Sequence, residues 1–172
     1  FSLRTYDYIQ YKDSLSKLNY LRLPTIIEIE DLPYYSLFKP TKLATVPLGY
    51  CIPAHLESIV QQLKRLGIVV QELKSDTLLQ GEKFIIESID VAENAFEHHN
   101  MIQLEGKFRP SRLNARQGDY LVDMRQNLAF LIFYLLEPQS DDGLTRWNFM
   151  DKYLHKAGVL HHKVDYPVFK FW

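Results

Sequence analysis

The sequence has 172 residues, of which 47% are apolar and 24% charged, a composition typical of a globular domain. Its 20 basic and 21 acidic side chains leave a formal net charge of −1, which gives nucleic acid or an anionic membrane no long-range attraction. No apolar run reaches the roughly 18–20 residues that span a bilayer. We therefore expect no nucleic-acid partner and no membrane span.

The first 45 residues are predicted to form an N-terminal arm or linker that packs on the following domain. Residues 25–30 (TIIEIE) have the β-branched content of a strand, and prolines 24, 33, 40 and 47 argue against long helices. The sequence starts at Phe1 and shows no signal segment there. We expect a domain excised from a longer protein.

Residues 46–172 are predicted to be one α+β domain that opens with a strand–helix–strand unit. A helix over 55–66 is indicated by an apolar face at Leu56, Ile59, Val60, Leu63 and Leu66. Gly67 follows where a left-handed C-cap is usual. The flanking segments 48–52 and 68–73 are predicted strands, expected to run parallel in a mixed sheet.

The rest of the domain is predicted to contain an antiparallel meander and a buried C-terminal helix. Alternation predicts the meander strands 83–91, 101–108 and 119–122, with a loop at 94–100. Asp123 is the expected cap of a helix to Glu137 that is buried on more than one side, stopped by Pro138. A turn at 141–143, a short helix at 144–154 and an edge strand within 164–172 complete the prediction.

Histidine and cysteine patterns give little support for chemistry in this chain. A metal site could be built from Asp151, His155 and His161, but the His-Glu-x-x-His spacing is absent, and the neighbours in the pairs at 98–99 and 161–162 would point apart on a strand. Cys51, the only cysteine, is interpreted as a small core residue. We predict no catalytic residue and no metal ligand here, and no cofactor in this chain.

Two charged clusters have a structural and a functional interpretation. Glu137, Asp141 and Asp142 could bind calcium, but Asp-Asp-Gly is more typical of a turn. Four arginines lie close in sequence and could contact nucleic acid, but scattered ion pairs in a solvated loop explain them better: Arg109, Arg112, Arg116 and Arg125. An enzyme site around Asp141, Asp142, His155 and His161 is a third hypothesis.

Trp147 is the clearest candidate for a binding residue. Flanked by Arg146 and Asn148, and followed by Tyr153, it could form a platform for a sugar or a peptide. The alternative is that Trp147 anchors a helix to the core, which is the more frequent use of such a residue. Full burial of Trp147 would exclude the platform.

Residues 127–153 (NLAFLIFYLLEPQSDDGLTRWNFMDKY) carry a family resemblance. The stretch resembles the C-terminal part of bacterial zinc carboxypeptidase-like proteins, the carboxypeptidase A-like metallopeptidases, in which a similar LLEPxSDDGLxxWNF block follows the catalytic domain. Residues 34–41, VPLGYCIP at 46–53 and Gly-Asp-Tyr at 118–120 are also similar, so the resemblance covers residues 25–172. It departs at residues 123–127 (DMRQN), where the family pattern contains prolines.

The resemblance implies a non-catalytic accessory domain that docks on or supports the catalytic domain of a zinc peptidase, a secreted or periplasmic hydrolase. The zinc and its ligands would belong to that parent domain, which would be the partner in the same polypeptide, and peptide or cell-wall material would be the substrate. The expected docking or binding residues are Trp147, Arg146, Tyr153, Tyr34, Tyr35 and Phe38. The alternative is an independent peptide- or glycan-binding module.

Overall fold

A computed structural model describes residues 1–12, 19–154 and 164–172 of the protein. These residues form two compact units, Phe1–Leu43 and Ala44–Trp172. Each unit is built from its own set of strands.

The first unit contains a long antiparallel hairpin. Its strands are β1 (Leu3–Tyr11) and β2 (Asn19–Ile29), and the pairing is irregular between Tyr6 and Tyr8. The predicted strand at 25–30 is the end of β2, while β1 was not predicted. β1 mixes tyrosine, aliphatic and charged residues without a clean polar–apolar alternation, so its sequence does not predict a strand.

The strands described in the second unit form one seven-stranded antiparallel sheet. Its order is β4-β7-β3-β9-β5-β6, and β8 pairs with β5. The strands are β3 (Gly49–Ile52), β4 (Gln71–Glu72), β5 (Thr77–Val91), β6 (Ile102–Ala115), β7 (Tyr120–Asp123), β8 (Val164–Asp165) and β9 (Phe169–Phe171). The helices are α1 (Glu57–Arg65), α2 (Ala129–Leu136) and α3 (Asp151–Leu154).

The unit therefore combines helices with antiparallel strands, and strand predominates over helix. The expected mixed sheet was wrong, because every described strand pair is antiparallel. The strand–helix–strand unit exists as β3-α1-β4, and its two strands run in the same direction. They do not pair, because β7 lies between them and is antiparallel to both.

Helix α1 is the element that its sequence predicts best. A 3₁₀ turn at Ala54–Leu56 leads into it, and Ile59, Val60 and Leu63 are fully buried. Gly67 has φ of 83°, the left-handed conformation expected of a C-cap glycine. The prediction was wrong only for Leu66, which is 41% exposed.

Helix α2 is shorter than expected. It begins at Ala129, since Asp123 belongs to β7 and the next amide, of Met124, donates a hydrogen bond of 2.9 Å to the carbonyl of Leu48. This hydrogen bond ties Met124 to the residue before β3 and so competes with helix formation. Ile132 and Leu136 are buried and Leu131, Phe133 and Leu135 pack against the core, so the expected wide buried surface is present. One side still faces solvent, because Phe130 is 80% exposed.

The last part of the chain departs most from the prediction. The helix expected over 144–154 is reduced to α3, which is preceded by turns. The predicted edge strand is β9, which lies inside the sheet between β3 and β5. Burial of Phe169 and Lys170 explains this central position, and Pro167 lies outside the ladder, between β8 and β9.

The hydrophobic core of this unit lies mainly on one face of the sheet. Tyr50 and Ile52 of β3 point to that face and pack with α1 and α2. Cys51 points to the opposite face, where it forms a smaller cluster with Ala115 and Phe169. The expected meander was wrong for its third strand, because β7 pairs with β3 and β4 and is separated from β6 in the sheet. Its first two strands form the antiparallel hairpin β5-β6. The tight turn of this hairpin at residues 96–99 lies beside the chain segment that carries Trp147.

Candidate binding surface around Trp147

The turn between β5 and β6 has an unusual backbone. Phe96 and His99 exchange two backbone hydrogen bonds of 2.9 Å, which leaves Glu97 and His98 as the two turn residues. Both have positive φ, 48° and 68°, as the type I′ turn of a two-residue hairpin requires. Such turns favour Asn and Gly, and other residues pay about 1–2 kcal/mol each. The turn is therefore strained.

Trp147 packs against the first and last residues of this turn. Its ring lies 5.3 Å from the ring of His99 in an edge-to-face arrangement and 6.4 Å from that of Phe96 at an angle of 54°. The indole N–H donates a hydrogen bond to the carboxylate of Asp142. Phe96 is 59% exposed and Trp147 is partly exposed, so the rings form an aromatic surface that solvent reaches.

Asn148 fixes the two loops of this surface to each other. Its amide nitrogen donates to the carbonyl of Asn100 at 3.0 Å, and its amide oxygen lies 3.1 Å from Nδ1 of His99. Asn148 also has a positive φ of 66°. We define the Trp147 surface as Phe96, His99, Asp142, Trp147 and Asn148.

Left-handed backbone is concentrated at this surface. Within the described part of the chain, four residues other than glycine have positive φ, and three of them are Glu97, His98 and Asn148. Strained backbone persists where the surroundings impose it, and it occurs often at functional sites. Sequence reasoning identified Trp147 but missed Phe96 and His99. The only sequence signal for them was their position in a short loop between two alternating segments.

The other predicted residues of this region are placed separately. Arg146 is partly exposed, and its carbonyl accepts a hydrogen bond of 3.2 Å from the amide of Ile102. Tyr153 contacts a different part of the unit: its hydroxyl donates to the carbonyl of His55 at 3.2 Å and lies 3.4 Å from Oγ of Ser58. The structure thus links Trp147 to the 96–99 turn and Tyr153 to the start of α1.

Tyr34, Tyr35 and Phe38 belong to the first unit, in a segment without regular structure. The exposed fractions of these three side chains and of Leu37 are 76% to 91%. Among the other large apolar side chains of the described residues, only Leu43 and Phe130 are comparably exposed. The ring of Tyr34 meets that of Phe1 edge to face at 5.7 Å. We call residues 34–38 the exposed arm segment.

A buried polar cluster joins β3, α2 and β9. Nζ of Lys170 lies 2.7 Å from Oε1 of Glu137, which also accepts a hydrogen bond of 2.6 Å from the hydroxyl of Tyr50. Lys170 donates a second bond to the carbonyl of Thr45 at 3.1 Å and lies over the ring of Phe108 at 3.9 Å. The cluster is enclosed, so it has the geometry of a core interaction.

Burial dominates the acid–base properties of this cluster. It raises the pKa of Glu137, although Lys170 and the Tyr50 hydroxyl act in the opposite direction. Burial and the neighbouring carboxylate also raise the pKa of Tyr50. The calcium interpretation of Glu137 was wrong, since its carboxylate points into the core and bonds to Lys170 and Tyr50.

The remaining candidates have structural explanations. Cys51 is buried, which raises the pKa of its thiol to about 12. Arg116 pairs with Asp76 at 3.1 Å and Arg125 with Asp123 at 2.6 Å, in agreement with the ion-pair interpretation for these two residues. The expected loop was wrong for Arg109 and Arg112, which lie in β6. His155, His161 and His162 lie outside the described residues. Within the described ranges, no three His, Cys, Asp or Glu side chains are grouped as metal ligands.

A shallow cavity of about 360 Å³ lies beside the Asp123–Arg125 ion pair. It is lined by Val69, Gln71, Asp123, Arg125 and Gln126. The amide of Gln126 bridges its rim, accepting from the N–H of Val69 at 2.9 Å and donating to the carbonyl of Asp123 at 2.7 Å. The polar groups that line the cavity thus bond to each other.

Comparisons with protein-family models, curated proteins and solved structures found no match in any of the three. In the described part of the chain, no helix is both long and apolar enough to cross a membrane.

Proposed function

We propose that the chain is an accessory domain of a zinc carboxypeptidase-like protein and docks on its catalytic domain. The observation that carries this proposal is the exposed arm segment, in which Tyr34, Tyr35, Leu37 and Phe38 are four strongly exposed apolar side chains within five residues. A surface of this kind is typical of a protein–protein contact. Burying one such side chain contributes about 1.5–3 kcal/mol.

Two of the segments that carry the family resemblance contact each other, and this contact also supports the proposal. The piece at 46–53 contributes Tyr50 and the block at 127–153 contributes Glu137, and their hydrogen bond of 2.6 Å lies in the core. The same block supplies Trp147 and Asn148 to the Trp147 surface. In this proposal the zinc, the catalytic residues and the secreted location belong to the parent protein.

A binding measurement tests the docking proposal. The coding region upstream of Phe1 should encode a His-x-x-Glu motif with a later His, and its separately produced product should bind this chain in calorimetry. The double variant Y35S/F38S should weaken binding at least about tenfold. F130S is the matched control, because Phe130 is equally exposed but lies in the second unit. Absence of binding, or equal losses in both variants, would refute the proposal.

A second candidate function is a peptide- or glycan-binding module that uses the Trp147 surface. The observation that favours it is the incomplete burial of Trp147 beside the exposed ring of Phe96. Rigid aromatic rings with hydrogen-bonding neighbours are common in binding sites because they offer a large contact area at low entropic cost. Loss of ligand binding in W147A would support this function; unchanged binding would exclude it.

A further inference from the structure

We infer that the Trp147 surface binds a neutral glycan, an inference that rests on the second candidate function. The exposed ring of Phe96 beside the partly exposed Trp147 suits this ligand class. The rings of Phe96 and Trp147 meet at 54° with their centres 6.4 Å apart. A sugar ring presents a face of C–H groups, and the electron-rich face of an aromatic ring attracts such polarised hydrogens.

Polar groups beside the rings suit sugar hydroxyls. Beyond the bonds that they make within the surface, Asp142 has a second carboxylate oxygen as an acceptor and His99 has a second ring nitrogen, Nε2. Their positions are fixed by bonds to Trp147 and Asn148. A surface ordered in advance loses less conformational entropy when a ligand binds. The strained turn at Glu97 and His98 holds Phe96 and His99 in this arrangement.

The neighbouring backbone disfavours a peptide bound by strand addition. That mode needs free N–H and C=O groups along a sheet edge. The edge of β6 next to the Trp147 surface is occupied, because the amide of Ile102 donates to Arg146 and the carbonyl of Leu104 accepts from Gln139 at 3.0 Å. The backbone groups of Phe96 and His99 bond to each other. A ligand recognised through hydroxyls and ring faces fits better.

The charges around the surface disfavour an acidic ligand. Glu97 and Asp142 carry carboxylates, and Asp151 accepts a hydrogen bond of 3.4 Å from Asn148. Arg146 supplies the cationic side chain next to Trp147 in the sequence. Acidic sugars would meet like charges here, which lowers affinity for them.

Tryptophan fluorescence tests the inference directly. In a W172F background Trp147 is the only tryptophan, and its emission should change when chitohexaose or cellohexaose is added at up to about 1 mM. F96A should weaken this binding at least about tenfold, while F130A should leave it unchanged. Circular dichroism establishes that each variant is folded. If neither hexasaccharide changes the emission, or if F96A binds like its parent, the inference is wrong.

A peptide probe separates this inference from the function on which it rests. The neutral blocked hexapeptide Ala-Gly-Ser-Ala-Gly-Ser is titrated under the same conditions. Binding of the hexapeptide alone, weakened by F96A, would overturn the glycan and leave the binding module intact. If none of the three probes binds, both the inference and the module are rejected.

Discussion

The hydroxyl of Tyr50 donates a hydrogen bond of 2.6 Å to Oε1 of Glu137, a residue 87 positions later in the chain. The same oxygen lies 2.7 Å from Nζ of Lys170. One carboxylate therefore joins β3, the end of α2 and β9. A buried carboxylate is tolerated only when its partners compensate for lost hydration, so these three elements depend on one another.

Removing the cation from this cluster should destabilise the fold strongly. K170M leaves Glu137 buried without its ion-pair partner, and we expect a loss of about 3–5 kcal/mol in the free energy of unfolding. The double variant K170M/E137L removes both charges and should be more stable than K170M. Urea unfolding of the wild type, K170M, E137L and K170M/E137L gives the coupling energy. Additive losses would show that the two side chains do not interact.

The Asp123–Arg125 pair should contribute to the pH dependence of stability. Hydrogen bonds from Arg125 hold the pKa of Asp123 at about 2, below its ordinary value of 3.8. The folded state therefore binds this proton more weakly than the unfolded state. The stabilisation is present above pH about 4 and disappears as the pH falls through about 2.

D123N should remove this part of the pH dependence. The stability difference between the wild type and D123N should shrink as the pH falls from about 5 to about 2, and R125M should behave like D123N. Urea midpoints at several pH values measure the effect. A constant difference across this range would mean that the Arg125 interaction does not persist in solution.

Gly81 and Gly118 are required for different reasons: Gly81 because another strand approaches it closely, and Gly118 because its backbone is left-handed. A Cβ on Gly81 would lie 1.8 Å from the carbonyl oxygen of Lys170, so G81A should force β9 away from β5 and cost at least about 3 kcal/mol. Gly118 has φ of 90° but open space around it, so G118A should cost only about 1–2 kcal/mol. Chemical denaturation measures both variants. Equal losses would contradict the close approach at Gly81.

The sequence of the 96–99 turn is predicted to be less than optimal for stability. Replacing Glu97-His98 with Asn-Gly suits both positive φ values, so E97N/H98G should stabilise the chain by about 1 kcal/mol or more. The single variants divide the effect between the two positions. Urea unfolding is the measurement, and unchanged or reduced stability would show that the turn is not strained.

Local patterns predicted the elements that depend on local interactions. Helix α1 follows from its apolar spacing, and the left-handed Gly67 follows from its position after the last buried turn. The central position of β9 could not be predicted in the same way. It depends on pairing with β3 and β5, which are distant in sequence, and on burial of Lys170, a residue type that is almost never fully buried without a partner.

In the candidate site too, local sequence predicted one residue and failed to predict those that depend on distant contacts. Trp147 was recognisable from its residue type and its polar neighbours. Phe96 and His99 were not, because their contact with Trp147 requires the turn at the end of β5-β6 and the irregular segment before α3 to meet. The sequence contains no periodic signal for such a contact between two loops.

The docking proposal is tested most directly by hydrogen exchange in the exposed arm segment. Exchange of the amides of residues 34–38 is measured in the 172-residue chain and in the longer protein encoded by its gene. If the segment docks on a catalytic domain, these amides should exchange at least about tenfold more slowly in the longer protein, while the turn at 96–99 serves as a reference. Equal exchange rates at residues 34–38 in the two proteins would contradict the proposal.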